Sequence, residues 1–242
     1  MRFFLPAMMP IWLLFIKLHT KTGAIVHYEA FFFDFDGVLA DSVEVKTRAF
    51  AKLFEPYGPE IVERVIDHHR RHGGMTRVDK FSHYYRKYLA TTLDDKEMAD
   101  LCRRFSELVV DEVVAAPEIL GAGEFLKRWS SRLDCFVISA APEEEIRVIV
   151  NRRGMTSYFK EILGAPADKK TNLKNLLNKY RLNPSRCCFF GDAESDYQAA
   201  RACGVDFFGI LPDKDAPLLR SHPGLRWTED FRDFEKKFTP KF

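Results

Sequence analysis

The sequence predicts an α/β protein: a parallel sheet wrapped by helices, with an all-helical unit inserted behind the first strand. Three observations predict it. Short apolar runs recur along the chain, each followed by a helix-length amphipathic stretch. One interval, residues 42–115, keeps helical spacing and holds no convincing strand. Acidic or hydroxyl residues stand directly behind the apolar runs, where an open parallel sheet places its ligands.

The first run is Ala30-Phe31-Phe32-Phe33, which stops at Asp34. Four apolar residues without alternation fit a strand buried on both faces. Further strands are expected at 135–138, 161–163, 186–190 and 206–210, and helices at 117–131, 142–152, 169–180 and 195–203. Strand alternating with helix gives a Rossmann-like parallel sheet with helices on both faces. Within the inserted interval, Ala49, Phe50, Leu53 and Phe54 recur at helical spacing, as do Phe81, Tyr84, Tyr85 and Tyr88. Leu101, Phe105, Leu108 and Val109 repeat the pattern, and Pro56, Gly58-Pro59 and Gly73-Gly74 separate the segments. The expected organisation is an apolar extension over 1–24, an α/β core from 25–41 and 116–242, and the helical insert 42–115. The tail beyond Leu218 is expected to pack a last short helix onto the core.

Composition narrows the classes. The 242 residues carry 37 basic and 35 acidic side chains, a net charge of +2, so no nucleic-acid partner is expected. Five cysteines (Cys102, Cys135, Cys187, Cys188 and Cys203) form an odd set without CxxC spacing, which argues against a disulfide framework or a zinc site. A reducing, cytoplasmic setting is expected. The apolar stretch from Phe3 to Ile16, broken by Pro6 and Pro10, is too short for a membrane span, which needs roughly 20 apolar residues. Three readings of it stand: an N-terminal extension, a membrane-associating segment confined to residues 1–18, or an export signal.

Four groups of residues carry chemistry. The first is Asp34-Phe35-Asp36-Gly37-Val38-Leu39-Ala40-Asp41-Ser42. Two carboxylates one residue apart behind a buried strand are costly unless paired, hydrogen-bonded or bound to a metal. The second is Ser139, at the end of 135–138 and before a helix that starts near Pro142. The third is Gly164-Ala165-Pro166-Ala167-Asp168-Lys169-Lys170, in which spacing favours Lys169 and leaves Lys170 the alternative. The fourth is Gly191-Asp192-Ala193-Glu194-Ser195-Asp196, directly behind another apolar run.

In this order, the four groups resemble the motifs of the haloacid dehalogenase superfamily, and the resemblance covers the chain from about Ile25 to Ile210. It implies that Asp34 attacks phosphorus and forms an aspartyl phosphate, while Asp36 is the general acid and base. It also implies that Ser139 and Lys169 bind the phosphate, and that Mg²⁺ sits on Asp34, Asp192 and the Asp36 backbone carbonyl, supported by Asp196. A carboxylate nucleophile splits one difficult step into two, and a hard cation offsets phosphate charge that would repel the attack. Many relatives carry a polar residue where Ala140 stands, so any contact there runs through backbone.

Asp36 points away from the dehalogenase and phosphonate-cleaving branches. The insert after the first motif resembles the mobile cap of the phosphoglycolate phosphatase and β-phosphoglucomutase branch. The implied activity is hydrolysis of a small phosphorylated metabolite, a sugar phosphate or a hydroxy-acid phosphate. A phosphomutase and a silent binding protein on the same fold are the alternatives. In the insert, Arg77 and Lys80, one helical turn apart behind Gly73-Gly74, are the expected substrate contacts. His68, His69 and His72 match no zinc spacing.

Overall fold

The apolar run 30–33 lies at the centre of the sheet, and everything that positions the site follows from it. The structure, a computed structural model, describes residues 28–232 and Phe234, with the backbone of Leu18–His19 and Ile25–Val26. The expectations for residues 1–24 otherwise lie outside the described residues.

β1 (Leu18–His19) pairs antiparallel with β2 (Ile25–Val26), and β3 (Ala30–Phe33) opens the main sheet. Four helices follow before the next strand: α1 (Val43–Phe54), α2 (Pro59–Arg71), α3 (Arg77–Tyr88) and α4 (Asp95–Ala115). The core then resumes with α5 (Ala122–Trp129), β4 (Asp134–Pro142), α6 (Glu143–Arg152), β5 (Glu161–Ala165) and α7 (Lys169–Tyr180). It closes with β6 (Cys187–Gly191), α8 (Glu194–Cys203), β7 (Asp206–Ile210), α9 (Pro217–Ser221) and β8 (Trp227–Thr228).

The six strands run in the order β5-β4-β3-β6-β7-β8, with every neighbouring pair parallel. The chain builds outward from β3 to β5, then returns to the other side of β3 to lay down β6. The reversal lies between β3 and β6, and the crevice beyond their carboxyl ends is where such sheets bind ligands. Phe33 pairs with Val137 on one side and Phe190 on the other, so Asp34 and Asp192 emerge close together.

The alternation of β3 divides the core. Phe31 and Phe33 pack with Phe125, Trp129 and Phe190 on one face, and Phe32 stacks between Phe136 and Phe189 on the other. The insert has its own aromatic centre, where Phe50, Phe54, Phe81, Tyr84 and Phe105 are all buried. Its helices are well begun. Thr76 caps α3 on Asp79 N–H, and Asp94 and Glu97 form a reciprocal capping box for α4.

Two expectations on boundaries change most, while the strand expected at 161–163 extends to Ala165 and the one expected at 186–190 lies at Cys187–Gly191. The helix expected from 117 starts at Ala122, because the segment before it pairs back onto the exit from β3. Asp41 N–H donates to Pro117 O (2.9 Å) and Ile119 N–H to Leu39 O (3.2 Å), so the two connections to the insert run side by side. The strand expected at 135–138 continues to Pro142. The expected short helix beyond Leu218 is α9, which begins at Pro217, and Phe231 and Phe234 are buried against the core. Among the described residues, no helix is long and apolar enough to cross a membrane.

Candidate active site

Behind β3 the chain turns tightly over Asp34-Phe35-Asp36-Gly37. Leu39 N–H donates to Phe35 O (2.8 Å) and Gly37 N–H to Ala40 O (2.8 Å). Gly37 has φ +79°, and a Cβ there would lie 2.4 Å from Asp192 Oδ2, so both backbone conformation and space require glycine. The turn thus brings the first acidic group directly against the fourth.

The carboxylates are not equivalent. Asp34 Oδ1 accepts from Phe35 N–H (2.7 Å), and its Oδ2 accepts from Lys169 Nζ (2.6 Å). The same ammonium donates to Asp196 Oδ1 (2.6 Å). Lys169 is thus a buried cation between two carboxylates, while Lys170 is exposed. Burial pushes the Asp34 carboxyl up to about 7, against the opposing pull of Lys169. Burial would lower the ammonium, but Asp196 and Asp34 outweigh it and raise its pKa.

Asp36 is held differently. Its Oδ1 accepts from Ser42 Oγ (2.7 Å) and its Oδ2 is ion-paired with Lys46. Burial alone would raise this carboxyl, but Lys46 and the two hydrogen bonds keep it below the ordinary range. Asp192 takes no hydrogen bond from the described residues. Its desolvated surroundings and the charges of Asp34 and Asp196 raise its carboxyl well above the ordinary range.

One carboxylate oxygen each from Asp34, Asp192 and Asp196 lies within 4.8 Å of the others, a grouping able to hold a metal ion. Three carboxylates against one lysine leave the site short of positive charge, and a hard divalent cation with oxygen ligands meets that need. Both Asp196 oxygens are already engaged, Oδ2 by Ala193 N–H (3.1 Å), which suits it to orienting its neighbours.

A cavity of about 1040 Å³ joins this edge to the insert. Asp34, Asp36 and Asp192 line it from below, and Lys46, His69, Arg77 and Lys80 line it from the insert. Ala140 and Ala141 also border it; Ser139 is buried behind them, its Oγ accepting from Ala141 N–H (3.1 Å). The insert reaches the core at two further points. A Cβ on Gly74 would lie 1.7 Å from Ser195 Oγ, so the Gly73-Gly74 loop rests on the fourth acidic segment. Arg77 is ion-paired with Glu145 of α6, donates to Ser106 Oγ (2.7 Å) and lies over the Phe105 ring. Its guanidinium is therefore occupied by Glu145 of the core and by Ser106 and Phe105 of α4, although the residue borders the cavity.

Lys46, Ser106 and Glu145 escaped the sequence reading. Lys46 had a signal: it stands one helical turn beyond Ser42, so both reach Asp36. Glu145 had only a weak one, the acidic run Glu143-Glu144-Glu145 that opens α6. His68, His72 and His83 stack with centroids 4.1 and 4.2 Å apart and do not converge on a common point.

The model of the haloacid dehalogenase-like hydrolases matches residues 31–210, and the chain belongs to that family. It is 25% identical over 198 residues to the phosphorylated carbohydrates phosphatase of Thermotoga maritima, covering 76% of this chain and 85% of that one. It is 27% identical over 183 residues to the phosphoglycolate phosphatase of Synechococcus elongatus, covering 73% and 81%. A provisionally named β-phosphoglucomutase from Bacteroides vulgatus has the same fold, with TM-score 0.70 at 19% identity and 90% of each chain covered. The chain is thus a haloacid dehalogenase-like hydrolase, similar to phosphatases of phosphorylated carbohydrates and of phosphoglycolate.

Proposed function

We propose that the protein releases inorganic phosphate from a small phosphorylated metabolite, a sugar phosphate or hydroxy-acid phosphate, by way of a phosphoryl group carried on Asp34. The observation that carries this reading is the Lys169 bridge between Asp34 and Asp196, set beside Asp192 at the sheet reversal. A buried lysine on a carboxylate at that place draws an anionic ester toward the nucleophile and favours its ionised form against the burial that raises its pKa.

In the first step an Asp34 oxygen forms a bond to phosphorus, the ester P–O bond breaks, and Asp36 gives its proton to the departing oxygen. In the second, Asp36 as carboxylate takes a proton from water while the water oxygen attacks phosphorus, freeing Asp34 and phosphate. Ser42 and Lys46 hold Asp36 ionised in the free protein. The negative charge of the bound ester offsets Lys46 and lets Asp36 take up from solvent the proton it gives in the first step, and that loss leaves it the carboxylate base of the second. Lys169 offsets phosphate charge, and Ser139 orders the Ala140–Ala141 backbone beside the phosphate. Asp34, Asp192 and the Asp36 carbonyl would hold Mg²⁺, with Asp196 in support. The cation would supply positive charge against the phosphate oxygens. The helical insert serves as a cap that excludes water from the phosphoryl-transfer step and brings Arg77 and Lys80 to the cavity. A cytoplasmic setting belongs to this reading, supported by five free thiols.

The test is phosphate release from a panel of phosphometabolites with Mg²⁺. Release from one or more members is expected. Conversion of a sugar phosphate to its isomer without release would make the protein a mutase instead.

A further inference from the structure

One part of the cavity takes no share in handling phosphate. Beside Asp192 it is bordered by the segment behind β7 and by α9, both of the core. Apolar side chains make this wall: Ile119, Leu211, Pro212, Ala216, Pro217 and Leu218. The wall is fixed in place. Leu211 N–H donates to Thr228 O (2.9 Å) and Ile119 N–H to Leu39 O (3.2 Å). Leu211, Ala216 and Leu218 are rooted in the same buried cluster as Phe32 and Phe189, whereas Pro212 and Pro217 are exposed.

Polar groups stand at its rim: Gln198, Ser221 and His222. Glu194 holds two of them, accepting from Gln198 Nε2 (2.5 Å) and pairing with His222 Nε2 (2.9 Å). The His222 ring in turn lies against Tyr197, with centroids 4.0 Å apart. Among the described residues, every lysine and arginine that borders the cavity comes from the insert, while the exposed carboxylates Asp41 and Glu229 belong to the core side. A second anionic group is therefore not what this wall suits. A bare sugar would set hydroxyls against it without partners, which is costly. A flat ring with apolar faces and a polar edge meets both the wall and the rim. The size agrees, since about 1040 Å³ stands at the upper end of sites for small molecules, and a two-carbon acid phosphate would leave most of it to water.

We infer that this core-side wall receives a flat heterocyclic ring carried by the sugar of the substrate, its face on the apolar side chains and its edge at the polar rim. This rests on the phosphatase reading and narrows its sugar phosphates to those of nucleoside monophosphate build.

Steady-state kinetics with Mg²⁺ test this on three esters that share a phosphate on the 5-hydroxyl of a ribofuranose: methyl riboside 5-phosphate, adenosine 5′-monophosphate and uridine 5′-monophosphate. The wild-type protein is expected to favour at least one nucleotide over the methyl riboside by about tenfold or more in kcat/KM. Pro212→Glu and Pro217→Glu, both at exposed positions, set a carboxylate on the wall; each should lower that ratio severalfold, chiefly through KM. Pro212→Ala keeps the wall apolar and should retain most of the ratio. Melting curves check that the variants fold, and the wild-type ratio decides the matter even where they do not. Release from the methyl riboside as efficient as from both nucleotides leaves the phosphatase reading standing and overturns the inference alone. A wild-type ratio in both folded Glu variants also overturns it. A protein inert toward all three esters and p-nitrophenyl phosphate removes the phosphatase reading, and the inference with it.

Discussion

At the scale of single residues, the site separates its carboxylates by their partners. Asp34 shares Lys169 with Asp196, whereas Asp36 has Ser42 and Lys46 to itself. Asp36→Asn keeps the shape of the turn and removes the proposed proton carrier, so turnover should fall about 10²–10⁴-fold. Steady-state rates with folding checked by circular dichroism measure this, and a loss below tenfold would remove Asp36 from the acid–base role. The motif residues were legible because each follows its own strand: Asp34 behind 30–33, Asp192 behind 187–191. Lys169 was narrowed to two neighbours, and the fold separates them, one buried and one exposed. Glu145 was hidden because its partner is 68 positions away, and nothing in local spacing reports a pairing of that range.

At the scale of elements, α3 is fastened to α6 by the Arg77–Glu145 pair, in which both side chains are 6% exposed. Glu145→Ala leaves a buried guanidinium without its carboxylate, at a cost of about 3–5 kcal/mol. Melting should fall by roughly 10 °C, and the double variant Arg77→Met/Glu145→Leu should recover most of it. A single variant that melts with the wild type would show that the pair holds nothing together. The helices of the insert were legible from their aromatic spacing. The helix expected at 117 was misjudged, because cross-pairing of 117–119 onto 39–41 takes the backbone before a helix can form. The same insert should be acid-sensitive. Burial, with Lys80 beside it, lowers the His69 ring to about 3, whereas an unfolded histidine titrates near 6.5. Between those values the unfolded chain binds a proton that the folded one refuses. Stability should therefore fall as pH drops from about 6.5 toward 3 and be unaffected by this group above 6.5. Melting curves across that window should flatten in His69→Asn; an unchanged slope would assign the acid sensitivity elsewhere.

For the whole molecule, the parallel order and the reversal between β3 and β6 bring residues 34, 169, 192 and 196 to one edge. The fold class was legible because apolar runs alternate with amphipathic stretches, whereas the strand order across the sheet follows from packing that no local pattern carries. With three carboxylates on one lysine, Mg²⁺ should stabilise the fold itself, by about 2.7 kcal/mol at a hundred times its dissociation constant. Thermal denaturation with and without EDTA reads this, and Asp192→Asn should abolish the shift; an equal shift in that variant would place the metal elsewhere. The central claim is that phosphate passes through Asp34. It is tested most directly by acid-quenching the enzyme during turnover and weighing its peptides by mass spectrometry. The account predicts one phosphoryl group on the peptide that contains Asp34, absent from Asp34→Asn, which should not turn over. Steady turnover with that peptide unmodified, or hydrolysis at the wild-type rate by Asp34→Asn, would contradict it.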